Sequence, residues 1–348
     1  MLKPKMTKEK FNDFLGHKGI VVDSTDENYA LERGFEHNYI YKLLCYRDNY
    51  EKDESGKYIN LKLNNLVELS HIDTLLRYTL LELSLDLEHI IRCRFLEDIA
   101  DSAAIDGYKI VNEYFDYLGE QKKKQKNAQA GDILDFEERK AAYQKVKTAQ
   151  DYAKEERTKF FKPLETSKYS RARYLKYKDA VPVWLIIDSF TMGDLARFSK
   201  FYFKNYCAEK EDSIFSELNK DLSNAKNIRN LAAHNQPILV NVRTDKPDNQ
   251  LTVPAGTVTK YLKQLSKRHK ETIINNKKTL TQNKRIHDLI TLLALYENHC
   301  PDNQYKKLRQ TEVLNVKGHW NKLDKTSMPE NLKNMFQFFD YLIMDFTC

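Results

Sequence analysis

The sequence predicts an all-α protein, and three observations carry that prediction. Over 348 residues there are only 10 Gly and 8 Pro, so the residues that punctuate turns are sparse. Leu, Lys, Glu and Ala are plentiful, which favours helices over short strands. Long stretches repeat apolar residues at steps of three and four, the spacing of a single helix face. The length suits two domains or one large elaborated one. With 41% hydrophobic and 31% charged residues, a sizeable core in a well-solvated surface is within reach.

Residues 1–60 read as an N-terminal helical segment. "LERGFEHNYIYKLLCYRDNY" (31–50) carries a helical stripe at Tyr39, Leu43 and Tyr46, which "YEKDESGKY" then breaks. Residues 61–245 read as the main core. From Leu66 to Ala100 the apolar steps run through Leu69, Ile72, Leu76, Leu80, Leu83, Leu87 and Ile90. On the opposite side Ser84, Glu88 and Arg92 stand at i, i+4 and i+8. Such a line is a salt-bridged or solvated face, or, against another helix, the support of a site.

Residues 106–178 read as a polar helical insertion shaped as a protruding hairpin, with apolar steps at Phe136, Tyr143, Val146 and Ala153 amid dense charge. In "VPVWLIIDSFTMGDLARFSKFY" (181–202) Pro182 suits a first helical turn, and Trp184, Ile187, Leu195 and Phe198 supply apolar anchors. A helix over about 216–235 follows, with Leu218, Leu222, Ala225, Ile228 and Ala232 as its apolar line and Pro237 as its stop. The Asn-, Asp- and Pro-rich stretch 241–256 is a linker, and residues 246–348 form a C-terminal helical region. No internal repeat occurs.

Several function classes are disfavoured. No run approaches the roughly 18 apolar residues of a membrane span, and "MLKPKMTKEKFNDF" has no apolar signal core. The five Cys are scattered without a CxxC, so a reducing cytoplasm, no structural metal and no cofactor are expected. Phosphate-binding Gly loops, GxGxxG, HExxH and GxSxG are all missing.

The net charge of +7 is unevenly spread. Residues 121–178 carry a local +9 and residues 260–285 a local +8, so the remainder is acidic. Concentrated basic charge is the sequence footprint of a polyanion-binding surface; a solvated Lys-rich face has the same composition. In "KYSRARYLKYK" (168–178) Lys168, Arg171, Arg173 and Lys176 interleave with Tyr169, Tyr174 and Tyr177. That mixture grips nucleic acid by phosphate pairing and base stacking, or snorkels over neighbouring helices. Lys267 and Arg268 are the corresponding candidates in the second segment.

The stretch with the most chemistry is "NIRNLAAHNQPIL" (227–239). Lys226, Asn230 and His234 share a polar face at i, i+4 and i+8, and Arg229, about 100° round the helix from Asn230, is long enough to join them. His234 falls in the last helical turn, where the negative end of the macrodipole favours a cation. Imidazole and guanidinium at one helix end suit phosphate-ester chemistry: one trades protons, the other holds charge on non-bridging oxygens. A helix-capping histidine is the plainer alternative.

"RNLAAHNQPIL" resembles the Arg-Asn-x-x-x-His signature of HEPN ribonucleases, in the form seen in bacterial Abi-like abortive-infection proteins. Three other stretches are similar to that family in the right order. "NYIYKLLCY" (38–46) resembles its Tyr-rich N-terminal helix. "HIDTLLRYTLLELSLDLEHIIRCRF" (71–95) resembles its Asp-x-x-Leu-Arg…Glu-x-x-x-Arg helix at Asp73, Leu76, Arg77, Glu88 and Arg92. "VPVWLIIDSFTMGDLARF" (181–198) is similar to its Pro-x-Trp…Gly segment, with Asp188 as the acidic residue that follows the Trp. Where the family often has a second His, this chain has Asn235.

The resemblance implies a HEPN-type helical bundle, here with a charged helical insertion and a C-terminal helical extension. It implies a metal-independent endoribonuclease acting as a toxin in phage defence, with RNA as substrate and an antitoxin, RNA or protein, as restraint. Arg229 and His234 would be catalytic, Asn230 and Lys226 supporting, and Glu88 and Arg92 further support. One imidazole per chain, together with the resemblance, implies a homodimer with a composite site. A catalytically idle RNA-binding module and a phage-sensing scaffold are the competing readings.

Overall fold

A computed structural model describes residues 6–22, 32, 39–207, 214–242, 255–269, 277–344 and 346. Among them every regular element is a helix, joined by two isolated β-bridges, Val21 to Lys62 and Lys52 to Tyr58. Most of the expected linker (243–254), part of the second basic segment (270–276) and Cys348 lie outside the described residues. No described helix is long and apolar enough to cross a membrane.

The chain forms two compact units, residues 1–87 with 221–348, and residues 88–220. The first opens with α1 (Lys8–His17) and α2 (Ile40–Leu43), the latter tightening into a 3-10 turn over Leu44–Asn49. α3 (Leu63–Asp101) belongs to the first unit as far as Leu87 and to the second from Glu88. The second continues with α4 (Lys109–Gly131), α5 (Phe136–Gln144), α6 (Ala149–Thr166), α7 (Arg171–Tyr177), α8 (Val183–Ser189) and α9 (Met192–Tyr202). α10 (Ile214–Ala233) returns the chain to the first unit at Asp221. There α11 (Gly256–Arg268), α12 (Lys277–Gln282), α13 (Lys284–His299), α14 (Gln304–Asn321) and α15 (Glu330–Leu342) complete it.

The core of the first unit follows from the apolar spacing. α3 runs 39 residues with neither Gly nor Pro inside it, and Leu66, Leu69, Ile72, Leu76, Leu80, Leu83 and Leu87 are all buried. Leu76, Leu80 and Leu83 line one small apolar cavity with Leu289 and Leu293 of α13, Val316 and Trp320 of α14 and Phe339 of α15. The C-terminal helices are therefore core partners of α3. The expected aromatic stripe near residue 40 divides: Leu43 and Tyr46 are buried while Tyr39 is 70% exposed. Tyr39 is the extended residue that precedes α2, so it lies outside the helical register that carries Leu43 and Tyr46 to one side.

In the second unit Phe95, Tyr114, Phe190, Phe198, Phe201, Tyr202 and Phe215 make a buried aromatic cluster, with edge-to-face contacts such as Phe95–Phe198 at 5.1 Å and Tyr114–Phe198 at 5.1 Å. α4 and α6 are the two arms of the insertion. They meet closely at Gly119, where an added Cβ would fall 2.8 Å from the Ala153 nitrogen and closer still to the Ala149 carbonyl. Ala153 is buried, but Phe136 and Tyr143 stay exposed, because α5 between the arms buries no residue. Trp184 is also partly exposed and packs edge-on against Tyr177 of α7 at 5.2 Å.

Residues 181–202 do not form a single helix. Thr191 and Asp194 form a capping box that starts α9 afresh after an extended Phe190, the reciprocal bonding that satisfies free N–H groups at a helix start.

Candidate active site

The apolar line expected on the motif helix is the buried line of α10: Leu218, Leu222, Ala225, Ile228 and Ala232 all face the core. Burial on that side leaves Lys226, Arg229 and Asn230 half-buried and His234 exposed. Arg229 Nη1 donates to Asn230 Oδ1 at 3.4 Å, and Arg229 has further interactions. Nothing among the described residues hydrogen-bonds the His234 imidazole.

α10 ends two residues earlier than its spacing predicts, and the ending is specific. Asn235 adopts φ +53°. Its N–H donates to the Ala232 carbonyl at 3.0 Å, and the Gln236 N–H reaches back to the Leu231 carbonyl at 2.8 Å. This pair of bonds around a left-handed residue is the Schellman motif. It makes His234 the residue that caps the helix, its own N–H bonded to the Asn230 carbonyl at 3.0 Å. Asn is among the few residues other than Gly that enter the left-handed region readily. Position 235 therefore has a backbone task.

Beyond Pro237 the chain is a buried strap, and its polar backbone groups are met by side chains from three distant parts of the first unit. Asp73 Oδ1 accepts from the Ile238 N–H at 2.8 Å and the Leu239 N–H at 2.7 Å. Asn49 donates to the Leu239 carbonyl at 2.7 Å and accepts from the Val242 N–H at 3.0 Å. Arg285 donates to the Val240 carbonyl at 2.7 Å, and Asn283 to the Asn241 carbonyl at 3.2 Å. Buried backbone groups must be paired, and here the pairing fixes the exit from His234.

Asp73 is the centre of this arrangement. Its other oxygen accepts from the Tyr46 hydroxyl at 2.9 Å and from the Arg77 guanidinium. Asp73 and Arg77 are 0% and 1% exposed. Burial holds the Arg77 guanidinium below its usual range and pushes the Tyr46 phenol up to about 12. Four hydrogen bonds satisfy the buried carboxylate, the condition under which a buried charge is tolerated.

A second polar cluster fastens the middle of α10 to α13. Asn227 donates to Asp288 at 3.1 Å, and Lys284 bridges Asp288 and Asn224. His287 Nε2 accepts from the Ala255 N–H at 3.0 Å, which places its proton on Nδ1, facing Asp288 at 3.2 Å. No group of three His, Cys, Asp or Glu side chains suited to a metal occurs among the described residues.

The other expected site residues are distributed as follows. Glu88 and Arg92 belong to the second unit. Glu88 is buried and pairs with Arg92 at 3.3 Å, and Arg92 donates to the Phe190 carbonyl at 2.7 Å, holding the break between α8 and α9. Lys168, Arg171, Arg173 and Lys176 are exposed around α7. Arg173 is paired with Asp188, and Tyr174 has one ring face stacked on Phe161 at 5.3 Å. Lys267 and Arg268 are exposed at the end of α11, with Val258, Tyr261, Leu262 and Leu265 buried beneath.

A model of the family described as Abi-like protein matches residues 34–239. The chain belongs to the Abi-like protein family. No curated protein and no solved structure matches it. The Abi-like match begins just before α2 and ends on Leu239, so it takes in Tyr46, Asp73, Arg77, the Arg-Asn-x-x-x-His motif and the first strap residues. It stops short of Arg285, the strap anchor from α13. The family places the protein in the setting of abortive infection.

Proposed function

We propose that this Abi-like protein is a HEPN-type endoribonuclease toxin that cleaves RNA by attack of the RNA's own 2′-hydroxyl. The observation that carries this reading is the locked end of α10. Arg229, Asn230 and His234 lie together there, and the Schellman cap and the clamped strap hold the imidazole's backbone in place. Preorganisation of that kind is what electrostatic catalysis requires. Arg229 would hold the non-bridging oxygens as charge develops, with Asn230 beside it and Lys226 adding positive charge. His234 would move a proton at the 2′-oxygen. The exposed lysines and arginines of α7 and α11 would hold RNA by its phosphates. A restraining antitoxin would act by covering the end of α10.

The test is incubation of the purified protein with mixed cellular RNA in EDTA, beside Arg229→Ala and His234→Ala. Wild type should cut RNA but not DNA, leaving 2′,3′-cyclic phosphate and 5′-hydroxyl ends. Each variant should lose at least about 100-fold, the scale of one acid–base or charge-stabilising group, with unchanged helical circular dichroism. A His234→Ala protein that cuts at the wild-type rate refutes the assignment. Binding without cutting by wild type would favour an idle RNA-binding module.

A further inference from the structure

Displacement at phosphorus needs two proton carriers, a base for the attacking 2′-oxygen and an acid for the departing 5′-oxygen. His234 supplies one of them. A second subunit is one source of the other, and α2 offers a source within the same chain. Lys42 of α2 donates from Nζ to Oδ1 of Asn235 at 2.7 Å, on the residue that directly follows His234. An ammonium has three N–H donors, and this bond uses one. Among the described residues no carboxylate pairs with Lys42.

The surroundings of Lys42 suit proton transfer. It is half-buried, and burial first, then the Arg77 guanidinium, brings its amine down to about 8. Groups that titrate near the working pH are the effective acids and bases. Arg77 is itself fixed by Asp73, and Tyr46 by the same carboxylate, so the charges around the amine are anchored. Just before Lys42 in sequence, Tyr39 and Tyr41 are 70% and 50% exposed, with ring centroids 5.8 Å apart. Exposed aromatic rings next to a cation are the usual means of holding a single-stranded nucleotide.

We propose that Lys42 is the second proton carrier of the RNA-cleaving site, its ammonium protonating the departing 5′-oxygen. This rests on the ribonuclease reading above. As the O2′–P bond forms, the 2′-hydroxyl proton passes to His234. As the P–O5′ bond breaks, a proton leaves Lys42 for O5′. His234 then returns its proton to water and Lys42 recovers one, so the step is a transesterification with no further reactant. Asn235, fixed in its left-handed cap, is the positioning residue for the amine.

The experiment compares two RNAs that differ at the linkage the wild type cuts, one with the ordinary 5′-oxygen and one with bridging 5′-sulfur. Sulfur departs as a thiolate and needs no acid. Lys42→Arg keeps the positive charge and a donor for Asn235, but a guanidinium does not release its proton. Lys42→Arg and Lys42→Ala should each slow cleavage of ordinary RNA by at least about 100-fold. Both should cut the sulfur linkage within a few-fold of wild type, whereas His234→Ala should remain slow on both. Equal losses on the two linkages, or full activity of Lys42→Arg on ordinary RNA, would overturn the assignment of Lys42 and leave the ribonuclease reading standing. Wild-type protein that cuts neither RNA would overturn both.

Discussion

Asp73→Ala probes the link between the buried clamp and the motif most directly. Removing the carboxylate leaves the Arg77 guanidinium, 1% exposed, without its counter-charge, a change that costs about 3–5 kcal/mol. The Ile238 and Leu239 amides lose their acceptor as well, each worth about 1–3 kcal/mol if left dry. Water entering the vacated space offsets part of this sum, so the expected loss is about 5 kcal/mol. That is a large share of the roughly 5–15 kcal/mol that holds a typical domain together. Asp73→Ala combined with Arg77→Leu removes the stranded charge and leaves the two amides and the Tyr46 hydroxyl without their carboxylate acceptor. The double variant should therefore recover to a loss of about 2–4 kcal/mol. Urea unfolding gives the stabilities, and hydrogen exchange at the Ile238 and Leu239 amides reports the strap itself. The reasoning fails if Asp73→Ala costs under about 1 kcal/mol with those amides still protected, or if the double variant is no more stable than the single.

Three further outcomes are expected. Asn235→Gly preserves the left-handed cap, whereas Asn235→Ala should be less stable than the Gly variant by about 1 kcal/mol; matching urea midpoints would remove the Schellman argument. Neutralising Arg171, Arg173 and Lys176 together should flatten the salt dependence of single-stranded RNA binding by about 1.4 in slope instead of about 2.1, because Arg173 is already committed to Asp188. A slope that does not move would make α7 a solvated face only. Gly119→Val should force α4 and α6 apart at a cost of about 1–3 kcal/mol, seen as faster proteolysis between residues 109 and 166; unchanged digestion would contradict the close crossing.

The helical class and the buried lines of α3 and α10 were legible because both depend on spacing, which a sequence displays directly. Lys226, Asn230 and His234 were legible as one helix face for the same reason, with Arg229 about 100° round from it. The clamp was hidden because its parts lie far apart in the chain. Asn49, Asp73 and Arg285 meet the strap only after folding, and Arg285 looked like one more charge in a basic segment. Asp73 and Arg77 did leave a trace: opposite charges at i and i+4 within an apolar run signal a buried pair. Lys42 stood between tyrosines that drew attention as a stripe, and nothing in its neighbourhood in sequence announces Asn235. The break at Phe190 had a local signal, since Thr191-x-x-Asp194 fits a capping box, but the surrounding apolar residues read as continuous.

The strap's dependence on Arg285 also sets an order of events during synthesis. Residues 229–234 leave the ribosome about 50 residues before Arg285, a delay of roughly 3–10 s at ordinary elongation rates. Throughout that interval the Val240 carbonyl lacks its partner, and the core face of α3 still awaits Leu289 and Leu293. The end of α10 is thus completed late, by helices made after it. A nascent chain carries the motif well before it carries the means of holding that motif in shape.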